Sequence, residues 1–358
     1  MKNFLFSTTR QWNCGDEFIL HGVNNIIKQY YGSDSCYNKI IYNRNPSIRH
    51  NFHTSPPELL NKILSQNLPE YDNSFHKRIP SDFIDIAFCA GTPEWLGKRM
   101  QDFYHLVETN NIPFVALGIG SIGKLKKDPE RKIIKDAKIL TFRTRTLAEQ
   151  AKKQGLHQAM YLPCPALLSA PLGTEKEASA PIKIVGLGFN VKNNLTAPHI
   201  GLSDDTFIYM NELFDKFIRR YSDRYKFIAI CHYIDELPYA IRFFKKYGIE
   251  VRYSYDSNDY YSIYNQIDCL ISSRVHGCGI SSSLGIPSIG ISHDNRGETI
   301  KGFLASTVTV GDSFDKLDNE FSIIANNLQE RHQSLIEHKN QTLNSYIEII
   351  ESKLHNYM

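Results

Sequence analysis

Residues Ser272 to Ser292, reading SSRVHGCGISSSLGIPSIGIS, restrict the fold more than any other stretch. The apolar run Ile267–Ile271 predicts a buried strand, and a small-residue helix follows from about Cys278 to Leu284. Gly285 and Pro287 stop that helix, and Ser288–Ile291 begins a second apolar strand. Arg274 and His276 therefore fall where a strand hands over to a helix N-terminus. In an open α/β sheet that carboxyl edge is where ligands bind. Free N–H groups and the helix dipole favour an anion there. Arg274 adds a forked donor suited to phosphate or carboxylate, and His276 adds a group that exchanges protons near neutral pH. A lone arginine or histidine at such a place is more often a surface ion pair or a satisfied core residue. Two of them straddling one position, flanked by Gly277 and Gly279, read as a ligand site.

The same alternation runs through most of the chain. Strands are expected at Asn3–Phe6, Lys39–Tyr42, Ile84–Cys89, Pro113–Gly118, Ile139–Phe142 and Ala159–Leu162, with helices at Asp16–Tyr31, Trp95–Asn110 and Thr144–Gln154. Leu172–Pro181 (LGTEKEASAP) is polar, rich in small residues and closed by proline, which reads as a linker. The pattern restarts with strands near Lys183–Phe189, Lys226–Cys231, Glu250–Tyr253, Ile267–Ile271 and Ser288–Ile291. Helices are expected at Asp205–Tyr221, Glu236–Tyr247, Tyr260–Gln266 and Gly277–Leu284, then a long polar helix from Lys316 to His355 with a break. The expectation is an α/β protein with two doubly wound, Rossmann-like domains facing across a cleft. Its divisions are a first domain at residues 1–171, a linker at 172–181, a second domain at 182–315 and a helical segment at 316–358.

Composition excludes several classes. A net charge of +3 without a basic block argues against nucleic acid. Mild basicity suits a small anionic ligand and leaves peripheral contact with an acidic membrane surface open. The seven cysteines (Cys14, Cys36, Cys89, Cys164, Cys231, Cys269, Cys278) are scattered with no CxxC pair, so neither a disulfide framework nor a zinc site is expected. The amino-terminal residues hold no apolar run of signal-peptide length, and no stretch reaches a transmembrane length, so a cytoplasmic protein is expected.

Other strand-end loops carry candidates. Asn13-Cys14-Gly15-Asp16 follows the first strand and opens a helix; Asp16 reads as an N-cap or as a carboxylate facing a sugar hydroxyl at the cleft rim. Gly118-Ile119-Gly120-Ser121-Ile122-Gly123 matches GxGxxG, yet no acidic residue follows at ribose-binding distance and Arg143 stands there instead. Leu125 replaces the metal-binding Ser or Thr of a phosphate loop, so Gly118 and Gly120 read as a cleft loop contacting substrate. Arg143 occupies a strand end as Arg274 does, and two arginines from opposite domains would grip both anionic groups of one small substrate. Glu94 is a conceivable general base or a first-turn carboxylate. HExxH, a serine nucleophile elbow and paired carboxylates at catalytic spacing are all missing, so covalent or metal chemistry has no support in the sequence.

Taken in order, these landmarks resemble the polysaccharide pyruvyl transferase family. The matching pieces are Asn13–Asp16, Cys89–Thr92, Leu117–Gly123, Phe142-Arg143 before a helix closing at Gly155, and Leu162–Ala166. The most specific is Arg274-Val275-His276-Gly277 through Leu284-Gly285-Ile286-Pro287, and the likeness spans about residues 13 to 305. The sequence departs from the family pattern at Cys89-Ala90-Gly91, where a glycine run is usual, and at Thr144 and Cys164, where aspartates are usual. The resemblance implies a glycosyltransferase-B-like fold and transfer of the pyruvyl group of phosphoenolpyruvate onto two sugar hydroxyls of a surface polysaccharide or lipid-linked precursor, forming a pyruvate ketal. In that scheme Arg274 and Arg143 bind phosphate and carboxylate, and His276 is general acid or proton shuttle. Asp16 or Glu94 orients the acceptor, Asn13, Gly15 and Gly277 complete the pocket, and no metal or organic cofactor is needed. Two alternatives remain at this point: a nucleotide-sugar glycosyltransferase on the same architecture, and a non-catalytic anion- or glycan-binding protein.

Overall fold

The computed structural model describes residues 2–8, 14–32, 37–43, 83–91, 100–120, 132–177, 181–192, 202–294 and 296–357. The first lobe runs β1 (Lys2–Thr8), α1 (Cys14–Tyr31), β2 (Tyr37–Asn43), β3 (Ile86–Ala90), α2 (Gln101–Thr109), β4 (Phe114–Ile119), α3 (Lys132–Lys135), β5 (Ile139–Phe142), α4 (Arg145–Lys153) and β6 (Ala159–Tyr161). Its strands form one parallel sheet in the order β2-β1-β3-β4-β5-β6. Strands β3 and β4 are buried along their whole length, which is why they read as unbroken apolar runs.

The second lobe runs β7 (Ile184–Gly188), α5 (Asp204–Tyr221), β8 (Lys226–Ile230), α6 (Leu237–Lys245), β9 (Glu250–Arg252), α7 (Asp259–Tyr264), β10 (Cys269–Ser272), α8 (Val275–Ser283), β11 (Ser288–Ser292), α9 (Gly297–Gly302) and β12 (Ser306–Thr309). Its parallel sheet has the order β12-β11-β10-β7-β8-β9. Two parallel sheets flanked by helices give the expected α/β fold. Helices α10 (Phe314–Asn326) and α11 (Leu328–Leu354) close the chain, with the expected break falling at Asn327.

Three local expectations need correction. Helix α8 begins at Val275 rather than near Cys278, because Arg274 is the extended N-cap (φ −85°, ψ 111°), so His276 and Gly277 lie in its first turn. The expected helix from Glu236 divides into a 3-10 turn at Ile234–Glu236 and α6, whose first turn holds Pro238. Neither α9 nor β12 was expected, since Ser306–Thr309 has one apolar residue and Gly297–Gly302 is a single short turn. Trp95, where the expected helix Trp95–Asn110 begins, lies outside the described residues.

The lobes meet on a 3-10 turn, Pro165–Leu168. Asn25 of α1 donates its amide to Leu168 O (2.8 Å) and Ser169 O (2.9 Å). Gly279 of α8 lies where an added Cβ would stand 3.0 Å from Ala166 Cβ and from Phe303 Cζ. Gly22 of α1 comes so close that an added Cβ would land on the Pro165 carbonyl oxygen. Backbone cannot give way there as a side chain does. Gly22→Ala should therefore destabilise the protein by about 1–3 kcal/mol or more, read as a fall in the urea midpoint.

Helix α11 returns to the first lobe. Leu343, Tyr346, Ile350 and Leu354 join the same buried cluster as Val115, Ile139 and Val23, and the Tyr346 hydroxyl donates to Pro163 O (2.8 Å). Lys339, 1% exposed, donates to Glu175 Oε1 (2.6 Å), Ser283 O (2.8 Å) and Pro171 O (3.2 Å). One buried ammonium thus ties the segment after the first lobe to the C-terminal end of α8, where a cation suits the helix dipole.

Candidate functional site

The N-terminus of α1, the end of β5 and the N-terminus of α8 converge on one place. Arg143, directly after β5, is buried, and its Nη1 lies 3.3 Å from Nε2 of His276 on α8. A guanidinium has no lone pair to offer, so His276 must accept at Nε2 and carry its proton on Nδ1. That nitrogen packs against Gly15, where an added Cβ would strike it. An added Cβ at Gly120 would likewise strike Nε and Cζ of Arg143. Gly15 and Gly120 thus leave room for the imidazole and the guanidinium. The Cys164 sulfur accepts a hydrogen bond from Arg143; burial raises the thiol and the Arg143 charge draws it partly back. No carboxylate pairs with Arg143 among the described residues.

Arg274 is 6% exposed and forms an ion pair with Glu236, which is fully buried. Glu236 is itself pinned, accepting the backbone N–H of His232 (2.7 Å) and of Tyr233 (3.1 Å). The guanidinium lies over the Tyr233 ring at 4.6 Å. Strand order explains the pairing: β10 and β8 flank β7, so a long side chain from the end of β10 reaches the loop after β8. Burial draws Arg274 down to about 10, so it stays cationic at neutral pH.

Sequence reasoning missed Glu236, His232, Tyr233, Arg296 and Glu298. Arg296 donates Nε–H to Asp294 Oδ2 (2.6 Å) and Nη2–H to His293 Nε2 (2.9 Å). Glu298 reaches the other lobe, where Oε1 accepts the N–H of Arg145 (2.6 Å) and of Thr146 (3.2 Å), the first turn of α4. Thr144 caps the same helix through Leu147 N–H (3.2 Å). Asp294, His293 and Thr144 lie within three residues of the groups they serve, whereas Glu298 serves a helix far away in sequence.

The remaining predicted residues divide. Asp16 is buried in the first turn of α1, next to Gly15, which packs against His276 of the second lobe, so it lies near the junction. Gly118 adopts φ +72°, and an added Cβ would meet Pro165 Cδ; Gly277 faces Tyr264 Oη at 3.0 Å by the same measure. Both glycines therefore face protein. Asn13 and Glu94 lie outside the described residues. The described cysteines are free and buried, and no group of three or more His, Cys, Asp or Glu among the described residues could hold a metal ion. No helix among them is long and apolar enough to cross a membrane.

Burial lowers His276 well below the usual histidine value, and Arg143, Arg296 and Arg274 push it further. His232, buried and bonded through Nε2 to Tyr264 Oη (2.9 Å), is lowered by burial, then by Arg274 and His276. Both imidazoles are neutral in the folded protein at pH values where the unfolded chain has begun to bind protons. Their contribution is complete above the ordinary value of about 6.5. It is lost as pH falls below that value toward the folded ones. Each histidine should cost about 1.4 kcal/mol per pH unit within that window. Urea titrations at pH 7.5 and 5.5 should show the midpoint falling, with a shallower fall in His232→Gln.

The family model for polysaccharide pyruvyl transferase matches residues 13–295. No curated protein matches the chain in sequence. Among solved structures, the chain is similar to UDP-GlcNAc 2-epimerase from Neisseria meningitidis bound to UDP-GlcNAc (TM-score 0.57, 11% identity, 99% of this chain and 100% of that one). It is also similar to MnaA from S. aureus in complex with UDP (TM-score 0.60, 11% identity, 100% and 98%). A third is HepE from Anabaena in complex with UDP-glucose (TM-score 0.57, 9% identity, 99% and 100%). At these identities the likeness shows the fold alone, a glycosyltransferase-B-like pair of Rossmann-like lobes. The matched span holds Arg143 and the Arg274–Gly277 block, and by that match the chain belongs to the polysaccharide pyruvyl transferase family.

Proposed function

We propose that the protein transfers the pyruvyl group of phosphoenolpyruvate to two hydroxyls of one sugar in a surface glycan or its precursor, forming a cyclic pyruvate ketal. The observation that carries this reading is the 3.3 Å approach of Arg143 from one lobe to His276 from the other, with Arg274 two residues before His276. A compact ligand with a carboxylate and a phosphate on three carbons is the size and charge such a cluster suits.

The reaction needs one proton delivered to the methylene carbon of the enol phosphate, which leaves oxocarbenium character on the neighbouring carbon. A first sugar hydroxyl adds there and loses its proton. Phosphate departs, a second hydroxyl adds to the same carbon, and its proton leaves with the phosphate. His276 is neutral in the free protein, so it becomes a general acid only when the anionic donor raises its pKa and draws a proton from solvent. General acid catalysis of this kind is worth about 10²- to 10⁴-fold. Asp16, buried next to Gly15, would accept the proton of the first hydroxyl. Electrostatic positioning supplies the rest, and neither metal nor organic cofactor is required. A lipid-linked acceptor would bring the protein to the inner membrane face.

Incubation with phosphoenolpyruvate and galactose- or mannose-ended lipid-linked glycans tests this reading. The expected result is released phosphate and a product heavier by a pyruvate ketal. Turnover of UDP- or GDP-sugars without phosphoenolpyruvate would favour a nucleotide-sugar glycosyltransferase, and binding without any turnover would favour a non-catalytic protein.

A further inference from the structure

We infer that Arg296 is a third donor-binding arginine, forming with Arg274 a subsite for the phosphate group while Arg143 faces the carboxylate. This deepens the pyruvyl transfer reading and rests on it. The family match ends at residue 295, one position before Arg296. The sheet brings the two second-lobe arginines together: β10 and β11 are parallel neighbours, with Ile271 opposite Ile289 and Ser272 opposite Gly290. The chain segments carrying Arg274 and Arg296 therefore leave the same carboxyl edge side by side.

Both guanidiniums are held, and each keeps N–H groups in reserve. Arg296 commits Nε to Asp294 and Nη2 to His293, which fixes its plane and leaves Nη1 with no acceptor among the described residues. Arg274 pairs with Glu236 through Nη2, and its buried Nε–H has no hydrogen-bond acceptor among the described residues. The Arg296 charge also reaches His276 and Tyr233, so it acts on the cluster described above. A phosphate group presents three terminal oxygens and needs more donors than one fork supplies. A carboxylate presents two oxygens in one plane, which a single guanidinium matches. Asp294 and Glu236 offset much of the net charge of this pair. What the pair offers is therefore aimed N–H donors, with the remaining negative charge answered by Arg143 and by proton uptake at His276.

Titration calorimetry with inorganic phosphate, without acceptor or turnover, tests the subsite. Three folded variants are compared with the parent: Arg296→Lys, the charge-neutral pair Asp294→Asn with Arg296→Met, and Arg143→Gln. Circular dichroism and a urea midpoint confirm that each is folded. The expected result is a phosphate Kd raised about tenfold or more in the paired variant, less in Arg296→Lys, and under about threefold in Arg143→Gln. Unchanged phosphate affinity in the paired variant, or an equal loss in Arg143→Gln, would overturn the assignment. Phosphoenolpyruvate binding no tighter than phosphate, alongside the expected variant pattern, would reject the donor reading and leave the subsite standing.

Discussion

Gly15→Ala should reduce the proposed pyruvyl transfer by about 10²-fold or more while leaving the protein folded. The added methyl group has one obstacle, the Nδ1 edge of the half-buried His276 imidazole, and a side chain can rotate away where backbone cannot. Alanine also suits the first turn of α1 better than glycine. Displaced, His276 loses the 3.3 Å contact with Arg143 and, on the proposed reading, its role as proton donor. Gly120→Ala should act in the same way on Arg143, raising the Kd for phosphoenolpyruvate more than it lowers kcat. Steady-state kinetics with a urea midpoint for each variant is the check, and a Gly15→Ala protein with parental turnover would refute the placement of His276.

Removing the acid behind Arg274 should have the largest effect on stability. Glu236→Ala leaves a guanidinium 6% exposed without its counter-ion and strips the N–H groups of His232 and Tyr233 of their acceptor. Breaking a buried pair from one side costs about 3–5 kcal/mol. Replacing both partners with apolar residues of similar volume should recover most of that loss, because no charge is then stranded. Such a double variant, Arg274→Met with Glu236→Leu, should be stable and inactive. Urea unfolding and the phosphate-release assay together separate the two roles. A Glu236→Ala protein as stable as the parent would mean that the pair does not hold the second lobe's site together.

What the sequence revealed depended on how local each signal was. Strands such as Phe114–Ile119 and Ser288–Ser292 were visible because a parallel strand buried on both faces must be apolar throughout. Strand β12 was not, because Ser306–Thr309 sits at the sheet edge and needs little apolar content. Arg143, Arg274 and His276 were legible as strand-end residues, since topology alone sends such positions to the cleft. Their partners were not. Glu236 precedes Arg274 by dozens of residues, and only the strand order β10-β7-β8 brings them together. Gly15 and Gly120 were legible as parts of a strand-end motif and a glycine-rich loop, but a sequence cannot show what packs against them. Here it is an imidazole and a guanidinium.

The most direct test of a donor shared by the two lobes is the affinity for phosphoenolpyruvate, measured by calorimetry in the parent protein, in Arg143→Gln and in Arg274→Lys. Lysine keeps the charge beside Glu236 but loses the planar fork. Each single change, one in each lobe, should weaken binding by about tenfold or more. Proton uptake on binding should be present in the parent and absent in His276→Ala. Phosphoenolpyruvate bound equally well after the change in either lobe would contradict the claim that one ligand bridges Arg143 and Arg274.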